Sequence, residues 1–288
     1  MTVLTDSELT YFWLGPLGYL RQLPLLPLTG NMQADERVFG GLFEAADGTG
    51  TLQILGLKRS WALDWVCLAA DEVAAVHAWF QRLSRSALRI VDPRAYNRLS
   101  RDGASGGSWS RSTTAHTVTA GTRAFVSVTD YPTTLLGLVD GGIAWSVPLS
   151  TVSTLRIDAT DKIPLIPGEQ VTVSVLLKGS LGAQVGVQYY DTAGSAGSTA
   201  LASSATLTGT WAWYSHTFTP LSTQVSGSLI VVAASGAART VSVGPALWHP
   251  DNTNWTPGTG CPRVLIPTMT TRYPGLSRQD PGITLREA

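Results

Sequence analysis

Between Gly179 and Pro262 only Asp191, Arg239 and Asp251 carry charge, and Ser, Thr, Gly and Ala alternate there with apolar residues. A stretch so poor in charge presents hydroxyls to water from one face of each strand and buries the other face, which excludes long amphipathic helices. Apolar runs at 124–128, 134–139, 143–148, 154–157, 170–178, 184–190, 200–207, 211–218, 227–232 and 239–243, separated by turn residues, predict a β-sandwich. No helix longer than one turn is expected in this part, and 191–199 reads as a loop between strands.

Residues 1–101 differ: they hold ten of the twenty acids and ten of the twenty bases of the 288-residue chain. The prolines around Tyr11–Leu28 suit edge strands or extended arms. From Ser60 to Leu68, Trp61, Leu63, Trp65 and Cys67 alternate with smaller or polar residues, the period of a strand with one strongly apolar face. Asp71 and Glu72 open a helix whose apolar positions are Val73, Val76, Phe80 and Leu83, with Arg82 and Arg85 at the far end, the polarity that the helix dipole favours. Residues 87–91 return as a strand that stops at Asp92-Pro93. The small-residue cluster from Arg101 to Ser108 marks the boundary. The expected fold is mainly β: an α+β domain over 1–101, a β-sandwich of jelly-roll type over 102–262, and a C-terminal extension over 263–288.

The net charge of zero and pI near 6.9 leave no overall field for a polyanion, so specific nucleic-acid binding is disfavoured. The most apolar stretch contains Arg21, Pro16, Pro24 and Pro27, which argues against membrane insertion, and the N-terminus lacks the pattern of a secretory signal. Cys67 and Cys261 are too far apart in sequence to suggest a disulfide framework or a metal cluster.

Gly103-Ala104-Ser105-Gly106-Gly107 has the spacing of a nucleophile elbow, but turn residues precede it where a strand is required, so Ser105 reads as a loop serine. His77, His116, His216 and His249 never pair at ligand spacing, and Asp251, Asn252 and Asn254 suit an Asx turn better than a calcium loop. Asp130, Asp140, Asp158, Asp161 and Glu169 sit in turn-like contexts, and no acid–base pair can be chosen among them. No catalytic, cofactor or metal residue is assigned, and an enzyme is not expected.

Two groups remain as contact candidates. Arg82, Arg85, Arg89, Arg94 and Arg98, with Arg101, form a basic excess that suits a solvated face or an acidic neighbour in an assembly and, less well, DNA passing through a ring lumen. Among the aromatics, Trp61, Trp65, Trp211 and Phe218 are read as core, whereas Trp213 and Tyr214 point to opposite faces so that one is available for stacking. Tyr189 and Tyr190 pose the same choice.

The segments Pro167–Ser174, Val185–Gly194 and Gly209–Phe218, closed by Ala246–Gly258, resemble carbohydrate-binding-module-like jelly rolls of the kind appended to glycoside hydrolases and phage tail proteins. The early aromatic strand, the Trp61–Trp65 strand, the helix from Asp71 to Leu83 and the junction Val91–Leu99 resemble the N-terminal domain of phage minor or distal tail proteins. That resemblance implies a structural component of a tail tip or baseplate. Its N-terminal domain would form a homo-oligomeric ring against the tail tube and tail-tip hub, with the jelly roll displayed outside on the virion after synthesis in the host cytoplasm. The alternative is an adhesion module that binds a cell-surface glycan, and no cofactor is implied by either.

Overall fold

The computed structural model describes residues 11–24, 32–44, 50–83, 86–93, 95–149, 152–233, 239–249, 254–275 and 278–288, which divide into two compact units. The first comprises residues 11–91 and 262–288, the second residues 92–261.

The first unit opens with β1 (Trp13–Gly15) and β2 (Arg21–Gln22), a short hairpin at a sheet edge, as the proline-spaced sequence predicts. The hairpin of β3 (Met32–Glu44) and β4 (Gly50–Asp64) follows, then β5 (Leu68–Ala69), helix α1 (Ala70–Phe80) and β6 (Leu88–Val91). Helix α1 starts where Glu72 Oε2 accepts the Ala69 N–H at 2.6 Å, and acids occupy its first turn. It buries Val73 and Val76 but ends before the expected Leu83: Arg82 adopts a left-handed φ of 55°, and Phe80 and Leu83 are exposed. Trp61, Leu63 and Trp65 share a buried face, yet Cys67 is exposed, because the strand stops at Asp64 and the chain turns through a positive φ at Cys67.

The second unit begins with the single turn α2 (Arg101–Ala104). Its strands are β7 (His116–Val118), β8 (Thr122–Ser127), β9 (Gly141–Val147), β10 (Ser153–Ile157), β11 (Ile163–Pro164), β12 (Val171–Lys178), β13 (Gly182–Tyr190), β14 (Ala196–Leu201), β15 (Ala205–Thr206), β16 (Ala212–Phe218), β17 (Ser226–Ala233) and β18 (Arg239–His249). One sheet runs β14-β13-β17-β10-β7, with β11 and β15 paired beside it, and the other runs β16-β12-β18-β9-β8. Val173, Val175 and Leu177 of β12 and Trp248 of β18 face inward from the second sheet, as Val185, Val187, Leu229 and Val231 do from the first. A Cβ on Gly227 would lie 2.8 Å from Trp248 and 2.9 Å from Val187, so glycine lets the sheets close at that point. The apolar run 134–139 is a turn instead of the expected strand: Tyr131, Leu135 and Val139 form a cluster with Leu176 of β12.

The last two strands, β19 (Arg263–Gly275) and β20 (Arg278–Glu287), complete the sheet of the first unit. Its order is β2-β1-β6-β19-β20-β4-β3, so they fill the gap between β6 and β4. Residues 263–288 are therefore central to that sheet instead of an extension, and Val264, Ile283 and Leu285 enter its core with Phe12, Leu14, Trp61 and Ile90. The boundary also shifts from residue 102 to Asp92. Segment 95–99 belongs to the sandwich because Arg98 N–H donates to Trp248 O at 3.0 Å and Asn97 Nδ2 donates to Ala246 O at 2.9 Å.

Candidate functional site: an aromatic and hydroxyl strip

Strand β16 is an edge strand of the five-stranded sheet and alternates cleanly. Tyr214, His216 and Phe218 stand opposite the inward residues Val175, Val173 and Val171, whereas Trp213, Ser215 and Thr217 stand opposite Leu176, Ser174 and Thr172 on the outer face. Trp213 is 42% exposed and Ser215 and Thr217 are exposed, so the outer face is a tryptophan followed by paired hydroxyls. The Thr172 and Thr217 hydroxyls lie 2.9 Å apart. Beyond Thr172 the face ends at His249, whose ring stacks on exposed Tyr96 at 5.9 Å. Sequence alternation foresaw that one of Trp213 and Tyr214 would be available. The register makes it Trp213, and Tyr214 turns inward, half-buried.

Two residues before Trp213, Trp211 anchors a bonded cluster. Trp211 packs on Tyr131 at 4.8 Å between ring centroids, and its Nε1 donates to Asp130 Oδ1 at 3.0 Å. Lys178 Nζ donates to Asp130 Oδ2 at 2.5 Å and lies 5.9 Å from the Trp211 ring. The two hydrogen bonds, first that from Lys178 and then that from Trp211, hold the Asp130 carboxyl below the usual carboxylate range. Trp211 is thus a half-buried brace instead of the expected core residue. Nothing in the sequence places Asp130 beside residues 178 and 211; the fold does.

Other candidates move elsewhere. Tyr189 and Tyr190 are 6% and 5% exposed, so neither is a contact residue. β13 lies between β14 and β17 and has both faces covered: Tyr189 packs on Phe218, while the Tyr190 hydroxyl bonds Ser228 Oγ at 3.0 Å with Lys162 Nζ 4.2 Å above its ring. Of the arginines, Arg82 is exposed, but Arg89 and Arg98 are buried and unavailable to an outside partner. Arg98 forms a two-pronged pair with Glu169, at 2.5 and 2.7 Å. Arg85 and Arg94 lie outside the described residues, as do Asp251 and Asn252. Ser105 caps α2, with its Oγ accepting the Trp109 N–H at 3.2 Å.

Two buried titratable groups sit on either side of the β10 end. His116 of β7 is fully buried, and neither ring nitrogen has a hydrogen-bond partner; burial and then nearby Arg123 lower its pKa to about 3. Asp158 accepts the Ser100 N–H at 2.7 Å and the Ser100 hydroxyl at 2.6 Å, yet burial raises its pKa to about 6. Among the described residues no cluster of His, Cys, Asp and Glu could hold a metal ion, and no helix is long and apolar enough to cross a membrane.

No protein-family model matches the chain, and no curated protein matches it in sequence. Solved structures that align with about half of it include the enzymatically active domain of tailspike protein 4 of bacteriophage CBA120, at 13% identity and TM-score 0.43, covering 54% of this chain and 21% of that one. The chain thus spans about a fifth of that tailspike domain. They also include TmCBM61 in complex with β-1,4-galactotriose, at 12% identity and TM-score 0.38, covering 54% and 99%. The CBM22-1 xylan-binding domain of Paenibacillus barcinonensis Xyn10C aligns at 12% identity and TM-score 0.37, covering 54% and 90%. Likeness at this level carries no argument about function. The chain is a mainly β protein whose second unit is a two-sheet sandwich, as its own strand pairing defines it.

Proposed function

We propose that the sandwich unit, residues 92–261, binds carbohydrate through the outer face of β16. The observation that carries this is Trp213: a large ring left 42% exposed on a regular strand and flanked by Ser215, Thr217, Ser174 and Thr172. A flat apolar ring stacks on the C–H face of a sugar, and the hydroxyls beside it exchange hydrogen bonds with sugar hydroxyls. Electrophoresis of the protein through gels containing xylan, galactan or β-glucan tests this reading. Retardation by at least one polymer is expected, and Trp213→Ala weakens it by about 1–3 kcal/mol, the range for loss of one stacked ring. An unretarded wild-type protein refutes the reading. The proposal includes no catalytic step, and release of new reducing ends from a bound polymer would contradict that part.

A second reading, a structural ring component of a phage tail tip that contacts other copies of itself and neighbouring tail proteins, is supported by the β3–β4 hairpin. Residues 60–64 of β4 pair with β20, while the ladder with β3 runs on to Gly50. A two-stranded ribbon is marginal in water by itself, so this arm calls for a surface to lie on, and Val38 and Phe39 on it are exposed. The mass of the purified full chain, measured by light scattering, tests this. A closed oligomer lost on replacing Val38 and Phe39 by Ser supports it, and a monomer at all concentrations argues against it.

A further inference from the structure

We propose that Asp130 and Lys178 select the ligand of the Trp213 strip, and that this ligand is a neutral sugar presenting two adjacent hydroxyls. The inference rests on the carbohydrate reading above and names what that site would accept.

The register places the pair. Trp213 lies across from Leu176 and Ala212 across from Leu177; the next positions, about 7 Å from Trp213 by strand geometry, are Trp211, just before β16, and Lys178 at the end of β12, the two residues bonded to Asp130. The Asp130 side chain is 57% exposed and that of Lys178 is 33% exposed, so both remain open to solvent. The Asp130 carboxylate accepts hydrogen bonds from Lys178, from Trp211 and from its own backbone N–H, and of about four acceptor positions roughly one stays free. Lys178 carries three N–H donors and directs one at Asp130. A free acceptor and a free donor therefore stand side by side, fixed by the Trp211 brace.

Adjacent hydroxyls match this arrangement, because one donates to the carboxylate while its neighbour accepts from the ammonium. A ligand with its own carboxylate or ammonium would have to divide the ion pair or face a like charge. The sites of selection and of stacking are thus separate: Trp213 supplies area, and the Asp130–Lys178 pair reads the hydroxyl pattern.

The test uses the full chain in gels containing xylan, galactan or β-glucan, with polygalacturonate and chitosan as the anionic and cationic polymers. The expected result is retardation by a neutral polymer only. Asp130→Asn and Lys178→Met each weaken it about 10- to 100-fold, as expected for a lost hydrogen bond to a charged group. Lys178→Met leaves the Asp130–Trp211 bond in place, and thermal unfolding of each variant close to that of wild type separates lost selection from lost structure. Variants that bind like wild type, while Trp213→Ala does not, overturn the inference and leave the carbohydrate reading standing. Stronger retardation by either charged polymer overturns it as well. No retardation of the wild type by any polymer overturns both.

Discussion

His116 and Asp158 make the stability of the sandwich respond to acid in two opposing ways that single substitutions separate. The His116 pKa falls from 6.5 to about 3 in the fold, so the neutral ring is favoured there. Its contribution is complete above pH 6.5 and is lost as pH falls from 6.5 towards 3. The Asp158 pKa rises from 3.8 to about 6, so the fold favours the protonated acid. That contribution is complete below pH 3.8 and is lost as pH rises through 6. Between pH 7 and pH 5 the histidine costs roughly 2 kcal/mol and the aspartic acid returns roughly 1.3 kcal/mol, at about 1.4 kcal/mol per pKa unit. The wild-type sandwich should therefore lose only about 0.7 kcal/mol over this range. Asp158→Asn should expose the full histidine loss of about 2 kcal/mol, whereas His116→Leu should make the sandwich more stable at pH 5 than at pH 7 by about 1.3 kcal/mol. Hydrogen exchange of the β10 and β17 amides at the two pH values, corrected for intrinsic exchange rates, reads the opening of this unit alone. If both variants keep the wild-type response, the two groups are not titrating as their burial requires and the reasoning fails.

Further expectations concern packing and order. Glu169→Ala leaves the Arg98 guanidinium buried without its partner and should destabilise the sandwich by about 3–5 kcal/mol in urea unfolding; a loss below 1 kcal/mol would show that water reaches the site. Gly227→Ala presses a methyl against Trp248 and Val187 and should cost about 1–3 kcal/mol, with unchanged stability meaning that the sheets part freely there. A chain truncated after Pro262 should keep a folded sandwich but expose the Trp61–Trp65 face, seen as a red-shifted tryptophan spectrum. Full retention of β4 amide protection in that truncation would contradict the central place of β19 and β20.

Local sequence determined the elements whose burial has a period. Alternation in β12 and β16 and the i, i+3 spacing of Val73 and Val76 required a strand pair and a helix wherever the chain went. Trp61 and Trp65 as core, and Trp213 or Tyr214 as a surface ring, followed from the same period. Periodicity does not tell how many neighbours an element acquires. Tyr189 and Tyr190 are both buried because β13 lies inside its sheet, a matter of strand order, and Arg98 left the basic run because Glu169, 71 residues away, reached it in the core. The C-terminal strands looked like an appendage because their partners β6 and β4 lie nearly the whole chain length away, where no local pattern signals a gap in the sheet. The bonds of Asp130 are illegible in sequence for the same reason: a loop carboxylate has no period, and only the packed turn from 131 to 139 brings it to Lys178 and Trp211.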